Sequence, residues 1–190
     1  MTTVITAIAL VYATCVLLVL AIFAPHPGST LDLLPMALRG GAVLNVALLF
    51  VLHFGWRGIW RWVPKLNDWV FPDLNGEWDV RIHWIWKGTS GIATGHAVVK
   101  QTLLTFSMEL KTARSESETL LAKPKKNAES GRPLIYYIYR NTPKLTTATS
   151  EPPHEGAAVL RVGLDSHGLL SGNYFTDRET KGHLELTKRA

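Results

Sequence analysis

The stretch Trp78-Asp79-Val80-Arg81-Ile82-His83-Trp84 decides how the larger part of this chain folds. Apolar and polar residues alternate strictly, a period of two. An extended strand therefore places Trp78, Val80, Ile82 and Trp84 on a buried face and Asp79, Arg81 and His83 on a wet one. Similar short runs recur at residues 97–101, 104–111, 134–140, 157–164, 169–175 and 183–187. Turn signals separate them: Lys87-Gly88-Thr89-Ser90-Gly91, Lys123-Pro124-Lys125-Lys126-Asn127, Glu151-Pro152-Pro153, Asp165-Ser166-His167-Gly168 and Asp177-Arg178. No apolar stripe of helical period follows Pro72. Seven or eight strands at hairpin spacing predict an all-β domain over residues 73–190. A minimal up-and-down antiparallel β-barrel of about eight strands is the expected form, because closure removes exposed edges where few helices cover them. The interior of such a barrel holds packed side chains or one small ligand.

Toward the N-terminus the chain is a different material. Residues 4–24 carry no charge and run into Pro25-His26-Pro27-Gly28, where proline and glycine stop a helix. A second apolar run, 34–56, has Arg39 as its one formal charge, close enough to an end to snorkel. About twenty apolar residues cross a hydrocarbon core of roughly 30 Å. Residues 1–62 therefore read as a two-helix transmembrane hairpin, with 63–72 as a juxtamembrane linker. A cleaved signal peptide is the alternative for the first run, but that run lacks a basic leader and is long for the purpose. The connector has no Lys or Arg, whereas Arg57, Arg61 and Lys65 follow the second run, so both ends of the hairpin, and the barrel with them, are expected to face the cytoplasm. Trp56, Trp60, Trp62 and Trp69 suit the same boundary. Ala9 and Ala13, and Ala37, Gly41 and Asn45, set small or hydrogen-bonding residues at four-residue spacing, which packs helices either within one hairpin or between hairpins.

Composition narrows the chemistry. Cys15 is the single cysteine among 190 residues, which excludes a disulfide framework within one chain. The net charge of +5 fits a membrane-facing surface, an anionic ligand or simply a solvated face. His83, His96, His154, His167 and His183 show no metal-ligand spacing, and His154-Glu155-Gly156 sits in a proline-rich turn without the helix a zinc motif needs. Nucleophile elbow, P-loop and dinucleotide fingerprints are all missing from the sequence. No catalytic residue, metal or cofactor is expected, and the chain does not read as an enzyme.

What remains is an inventory for binding. On 134–140 and just beyond, Tyr137, Tyr139 and Asn141 share one face, while Tyr136, Ile138 and Arg140 share the other. Tyr174, Thr176 and Arg178 likewise form a column of ring, hydroxyl and guanidinium. Aromatic rings stack bases and Arg pairs with phosphate, although tyrosine-rich strands also serve as plain core. Ser115 and Ser117, following Thr112, are either pocket hydroxyls or the polar side of a strand.

In order along the chain, the apolar helices are followed by Leu74-x-Gly76-x-Trp78, Gln101-Thr102 and Thr112-x-x-Ser115-x-Ser117. Then come Leu134-x-Tyr136-x-x-Tyr139, His154-x-Gly156 and Leu170-x-Gly172-x-Tyr174-x-Thr176-x-Arg178-x-x-x-Gly182. This succession resembles the two-transmembrane, β-barrel effectors of bacterial CBASS anti-phage systems. The resemblance implies a barrel that binds a cyclic dinucleotide made by a partner nucleotidyltransferase, the CD-NTase, and no DNA or RNA. It implies further that the ligand promotes self-association in the inner membrane, whose disruption ends the infected cell. On that reading Tyr139, Asn141, Tyr174, Thr176 and Arg178 line the ligand site, with Ser115 and Ser117 as further members. Two other readings stand beside it: a tethered interaction module with a solid barrel, and a lipid carrier with an apolar lumen free of Arg.

Overall fold

The computed structural model describes residues 6, 9–16, 18, 41–145, 152–164 and 166–189. The chain divides into two compact units, Met1–Arg61 and Trp62–Ala190. Residues 9–16 are helical, and one helix among the described residues, Gly41–Trp62, is long and apolar enough to cross a membrane. Its 22 residues reach about 33 Å at 1.5 Å each. Most of the first expected helix, the connector and residues 34–40 lie outside the described residues. The expected pair of helices is therefore described as one apolar helix, and that helix continues past residue 56 to Trp62. Trp56 and Trp60, one turn apart, meet edge to face with ring centroids 5.4 Å apart, a contact that an unbroken helix makes. The stretch expected as a linker holds a short helix of its own, Lys65–Trp69.

The second unit is a closed barrel of eight antiparallel strands in sequence order. They are β1 Gly76–Trp86, β2 Thr89–Gln101, β3 Phe106–Thr112, β4 Ser115–Lys126, β5 Pro133–Pro143, β6 His154–Val162, β7 Leu169–Thr176 and β8 Lys181–Lys188. β8 pairs back on β1, with Trp78 opposite Lys188 on one side and Ala97 on the other, so no edge is left open. The alternation in β1 behaves as its sequence demands, with Trp78 and Val80 buried and Asp79 and Arg81 exposed.

Two strands depart from the sequence reading for identifiable reasons. β2 begins at Thr89, inside the expected glycine turn. Gly91 lies opposite Trp84, and a Cβ there would fall 2.4 Å from the Trp84 ring, so this glycine is a seat for an indole and not a turn residue. β4 runs to Lys126, through the expected turn at 123–127. The turn follows it instead, with the Asn127 carboxamide oxygen accepting from the backbone N–H groups of Glu129 and Ser130 at 2.9 and 3.0 Å. A register shift between Thr119 and Leu121 inverts the parity of β4 halfway along, which erases its alternation. Leu104 and Leu164, placed in strands by pattern, fall in turns because β3 starts at Phe106 and β6 stops at Val162.

The lumen has two unlike ends. Where β1, β3, β5 and β7 begin, Trp78, Val99, Met108, Ile135, Leu160, Leu170 and Leu186 are almost fully buried and fill it. The chain entering β1 caps that end. Trp78 Nε1 donates to the Leu74 carbonyl at 3.0 Å, and Gln101 Oε1 accepts from the Leu74 N–H at 2.9 Å. Gln101 Nε2 in turn donates to the Pro72 carbonyl at 3.1 Å. Leu74, Trp78 and Gln101, which helped carry the family resemblance, are thus part of a stopper. The opposite end is the mouth.

Candidate ligand-binding site

The inward positions change character toward the mouth, from aliphatic to hydroxylated. A cavity of about 110 Å³ opens there among Thr112, Ser115, Ser117, Tyr137, Tyr139, Asn141, His154, Tyr174, Thr176 and Thr180, floored by Ile82, Leu110 and Leu184. Among the described residues no carboxylate is in its lining, although Asp177, in the turn after β7, is near enough to act on Tyr139.

Strand parity sets each side chain. On β5 the inward column is Ile135, Tyr137, Tyr139 and Asn141, and the two tyrosine rings stack with centroids 5.2 Å apart. Arg140 points outward and pairs with Glu155 at 2.7 Å. β7 sends Tyr174 and Thr176 inward, and β4 contributes Ser117 and Ser115 ahead of its register shift. Glycines across the ladder make room for the rings. Gly156 lies opposite Tyr139, and a Cβ there would stand 2.5 Å from the ring's Cζ; at Gly182, opposite Tyr174, it would stand 2.8 Å from that ring and first strike the His83 carbonyl oxygen at 1.8 Å. Gly156, read from sequence only as part of a motif, makes room for the Tyr139 ring, while Gly182 admits both the Tyr174 ring and the neighbouring backbone.

Six of the seven sequence-predicted residues, Ser115, Ser117, Tyr139, Asn141, Tyr174 and Thr176, line this one cavity. Arg178 stands just outside the lining, in the turn after β7, and reaches it through His154. Its Nη1 donates to His154 Nδ1 at 2.9 Å, and the Asn141 amide meets His154 Nε2 at 3.3 Å. A guanidinium can only donate, so Nδ1 accepts and Nε2 carries the proton; the arrangement satisfying all three turns the Asn141 oxygen to Nε2. His154, passed over in the sequence with the zinc motif, bridges Asn141 and Arg178 across the mouth. Parity with Ala158 and Leu160 was the signal that would have placed it on the inner face. Thr112 was named only as a neighbour and Thr180 not at all. Among the described residues no cluster of His, Cys, Asp or Glu is set to hold a metal.

The phenols of the mouth are held neutral. Burial pushes the Tyr137 and Tyr174 phenols up to about 12. Burial also raises Tyr139, helped by the neighbouring Tyr174 and Tyr137 and by the Asp177 carboxylate. All three therefore stay protonated near neutrality and offer O–H donors without charge. Hydroxyls, an amide, stacked rings and a guanidinium at the rim form a set that can hold phosphate and heterocycle together.

Comparison with known proteins now adds to this geometry. Residues 69–188, the barrel and its entering segment, match the family model described as the Cap15 cyclic dinucleotide receptor domain. The chain is 32% identical over 135 residues to CD-NTase-associated protein 15 of Staphylococcus schleiferi, covering 70% of this chain and 69% of that protein. A closed barrel with a stoppered end and a polar mouth is the body that this match spans, and the chain belongs to the Cap15 cyclic dinucleotide receptor domain family.

Proposed function

We propose that this protein is a membrane-tethered effector of a CBASS system, and that the barrel mouth takes a cyclic dinucleotide supplied by a partner CD-NTase. The observation that carries the reading is the polar, aromatic mouth of a barrel that matches a cyclic dinucleotide receptor domain. In this reading Tyr139 and Tyr174 stack the bases, and Arg178 pairs a phosphate from the rim. Ser115, Ser117, Asn141 and Thr176 bond the sugar–phosphate ring. A cavity of 110 Å³ is smaller than the roughly 300 Å³ or more that encloses a small-molecule ligand. Binding therefore widens the mouth, and the Asn141–His154–Arg178 bridge is the contact that gives way. The packed apolar end leaves no room for an acyl chain, which counts against a lipid carrier, and the polar mouth counts against a solid interaction module.

The tether in this proposal is the two-helix hairpin read from the sequence, of which Gly41–Trp62 is described, with the barrel on the cytoplasmic face. Self-association has support on the outer wall. Leu121, Ile138, Ala157 and Phe175 are directly opposite one another across β4 to β7, forming an apolar row in which Leu121 and Phe175 are largely exposed. Such a row, rimmed by Arg140 and Glu155, suits a second copy of the chain. Ligand drives assembly, and so membrane disruption and abortive infection, to the extent that it binds the assembled form better than the monomer.

The test is a thermal-shift titration of the full-length protein in detergent against a panel of cyclic dinucleotides, with linear dinucleotides and a fatty acid as controls. A concentration-dependent rise confined to one or two cyclic species is expected, since a ligand selective for the folded state stabilises it. A folded protein unmoved by every nucleotide, or moved by the fatty acid instead, would sink the reading.

A further inference from the structure

A second cleft, of about 280 Å³, lies on the outer wall at the stoppered end, lined by Asn127, Ser130, Arg132, Leu134, Arg161 and Leu164. The polar groups it offers are donors. Arg132 Nε donates to the Val162 carbonyl at 2.7 Å, which fixes the guanidinium and leaves its terminal N–H groups over. Arg161 stands opposite Leu134 in the ladder between β5 and β6. The Asn127 oxygen is already taken by two backbone N–H groups, and the Ser130 oxygen accepts from the Arg132 N–H at 3.3 Å, so the amide N–H and the hydroxyl O–H remain. Among the described residues neither arginine is in an ion pair. Glu129, in the same turn, is not part of the lining. Among the described residues, two guanidinium groups, an amide and a hydroxyl line the cleft with no carboxylate, a donor set for an anion with several oxygens.

Its surroundings specify which anion. Leu134 makes an apolar floor, 6% exposed although it is on the outer side of the barrel, and Leu164 stands 78% exposed at the lip. Leu104 in the β2–β3 turn and Trp69 are exposed at this same end. Lys126, beside the cleft's turn, donates from Nζ to the backbone oxygens of Asp68 and Trp69, so the segment that leads back to the apolar helix lies here too. Basic groups interleaved with exposed leucine and tryptophan are the signature of a surface resting on anionic headgroups.

We infer that this cleft holds the phosphate of an anionic phospholipid and seats the stoppered end of the barrel on the bilayer, leaving the mouth turned to the aqueous phase. The inference rests on the tether proposed above and not on the ligand bound at the mouth. Full-length protein in neutral detergent doped equally with phosphatidylglycerol and phosphatidylcholine tests it, with retained lipid counted by native mass spectrometry. Phosphatidylglycerol is retained about tenfold over phosphatidylcholine, and Arg132→Gln/Arg161→Gln loses the preference. Leu164→Glu, which alters only the lip, loses it as well and guards against a double variant that fails to fold. Equal retention of the two lipids by the parent protein, or an unchanged preference in both folded variants, overturns the site. Displacement of the lipid by millimolar inorganic phosphate overturns the lipid assignment in favour of a free anion. Flotation with vesicles reports the tether separately: protein that floats but shows no lipid preference fails only this inference.

Discussion

Replacing Gly156 with alanine tests whether the cross-strand glycine positions the Tyr139 ring. The added Cβ falls 2.5 Å from both Cζ and Oη of Tyr139 and 3.0 Å from the Phe175 carbonyl oxygen. It is close to an ångström short of ordinary contact with a ring that is itself buried, so the ring or the strand must move. Overpacking of this kind costs about 1–3 kcal/mol. Alanine regains about 0.4–1 kcal/mol by restricting the unfolded chain, leaving a net loss of about 1–2 kcal/mol. The full-length protein in detergent, melted while its tryptophan fluorescence is followed, should lose roughly 3–6 °C. In a Tyr139→Leu background, where no atom reaches the Cζ position, the same substitution should cost under about 0.5 kcal/mol, a coupling of at least about 0.5 kcal/mol. Cyclic dinucleotide affinity should fall in the single variant, because the displaced ring no longer occupies its stacking position. An equal cost of Gly156→Ala in the two backgrounds would refute the argument, since the glycine would then be needed for backbone reasons alone.

Further outcomes follow from the same geometry. Arg178→Ala should weaken cyclic dinucleotide binding by about tenfold or more in a calorimetric titration while leaving the melting temperature nearly unchanged, because the side chain sits at the rim and not in the core. Phe175→Glu, which breaks the outer apolar row, should abolish ligand-promoted assembly in analytical ultracentrifugation while the variant still binds ligand, more weakly than the assembling parent by the linkage between the two. Alkaline stability carries the mark of the buried phenols. Their folded values lie above the ordinary value of 10.0, so they contribute stability that is whole below pH 10 and lost as pH rises toward about 12. Tyr137→Phe/Tyr174→Phe should flatten that decline in melts taken across the window, and an unchanged slope would show that the phenols do not cause it.

How much of this was legible in the sequence differs from strand to strand. β1, β5 and β7 announce themselves because one face is buried and the other wet along their length, and the inward sets Tyr137–Tyr139–Asn141 and Tyr174–Thr176 follow from parity alone. β4 was hidden because its register shift makes Leu120 and Leu121 consecutive, which leaves no alternation to read. The first half of β2 was hidden because Gly91 and Gly95 look like turn residues. Their real function, room for the Trp84 ring and for the Lys111 carbonyl, depends on neighbours a linear reading does not see. At the mouth, the hydroxyls and tyrosines were found by parity. His154 was missed because its contacts are to Asn141 and Arg178 on other segments, and neither is nearby in sequence. The two-arginine cleft joins the β4–β5 turn to the end of β6, and no spacing rule would have joined Arg132 to Arg161.

The stoppered end has a further consequence. A bore closed by Trp78, Met108, Ile135 and Leu186 is a cup and not a pipe: it gives water and ions no path along its axis, and a guest leaves by the door through which it came. Conductance through this barrel is therefore not the currency of any signal it carries. Whatever occupancy of the cup achieves must be transmitted sideways, as strain in the strands that form its wall, and any breach of the bilayer has to be built from parts of the molecule that lie outside the bore.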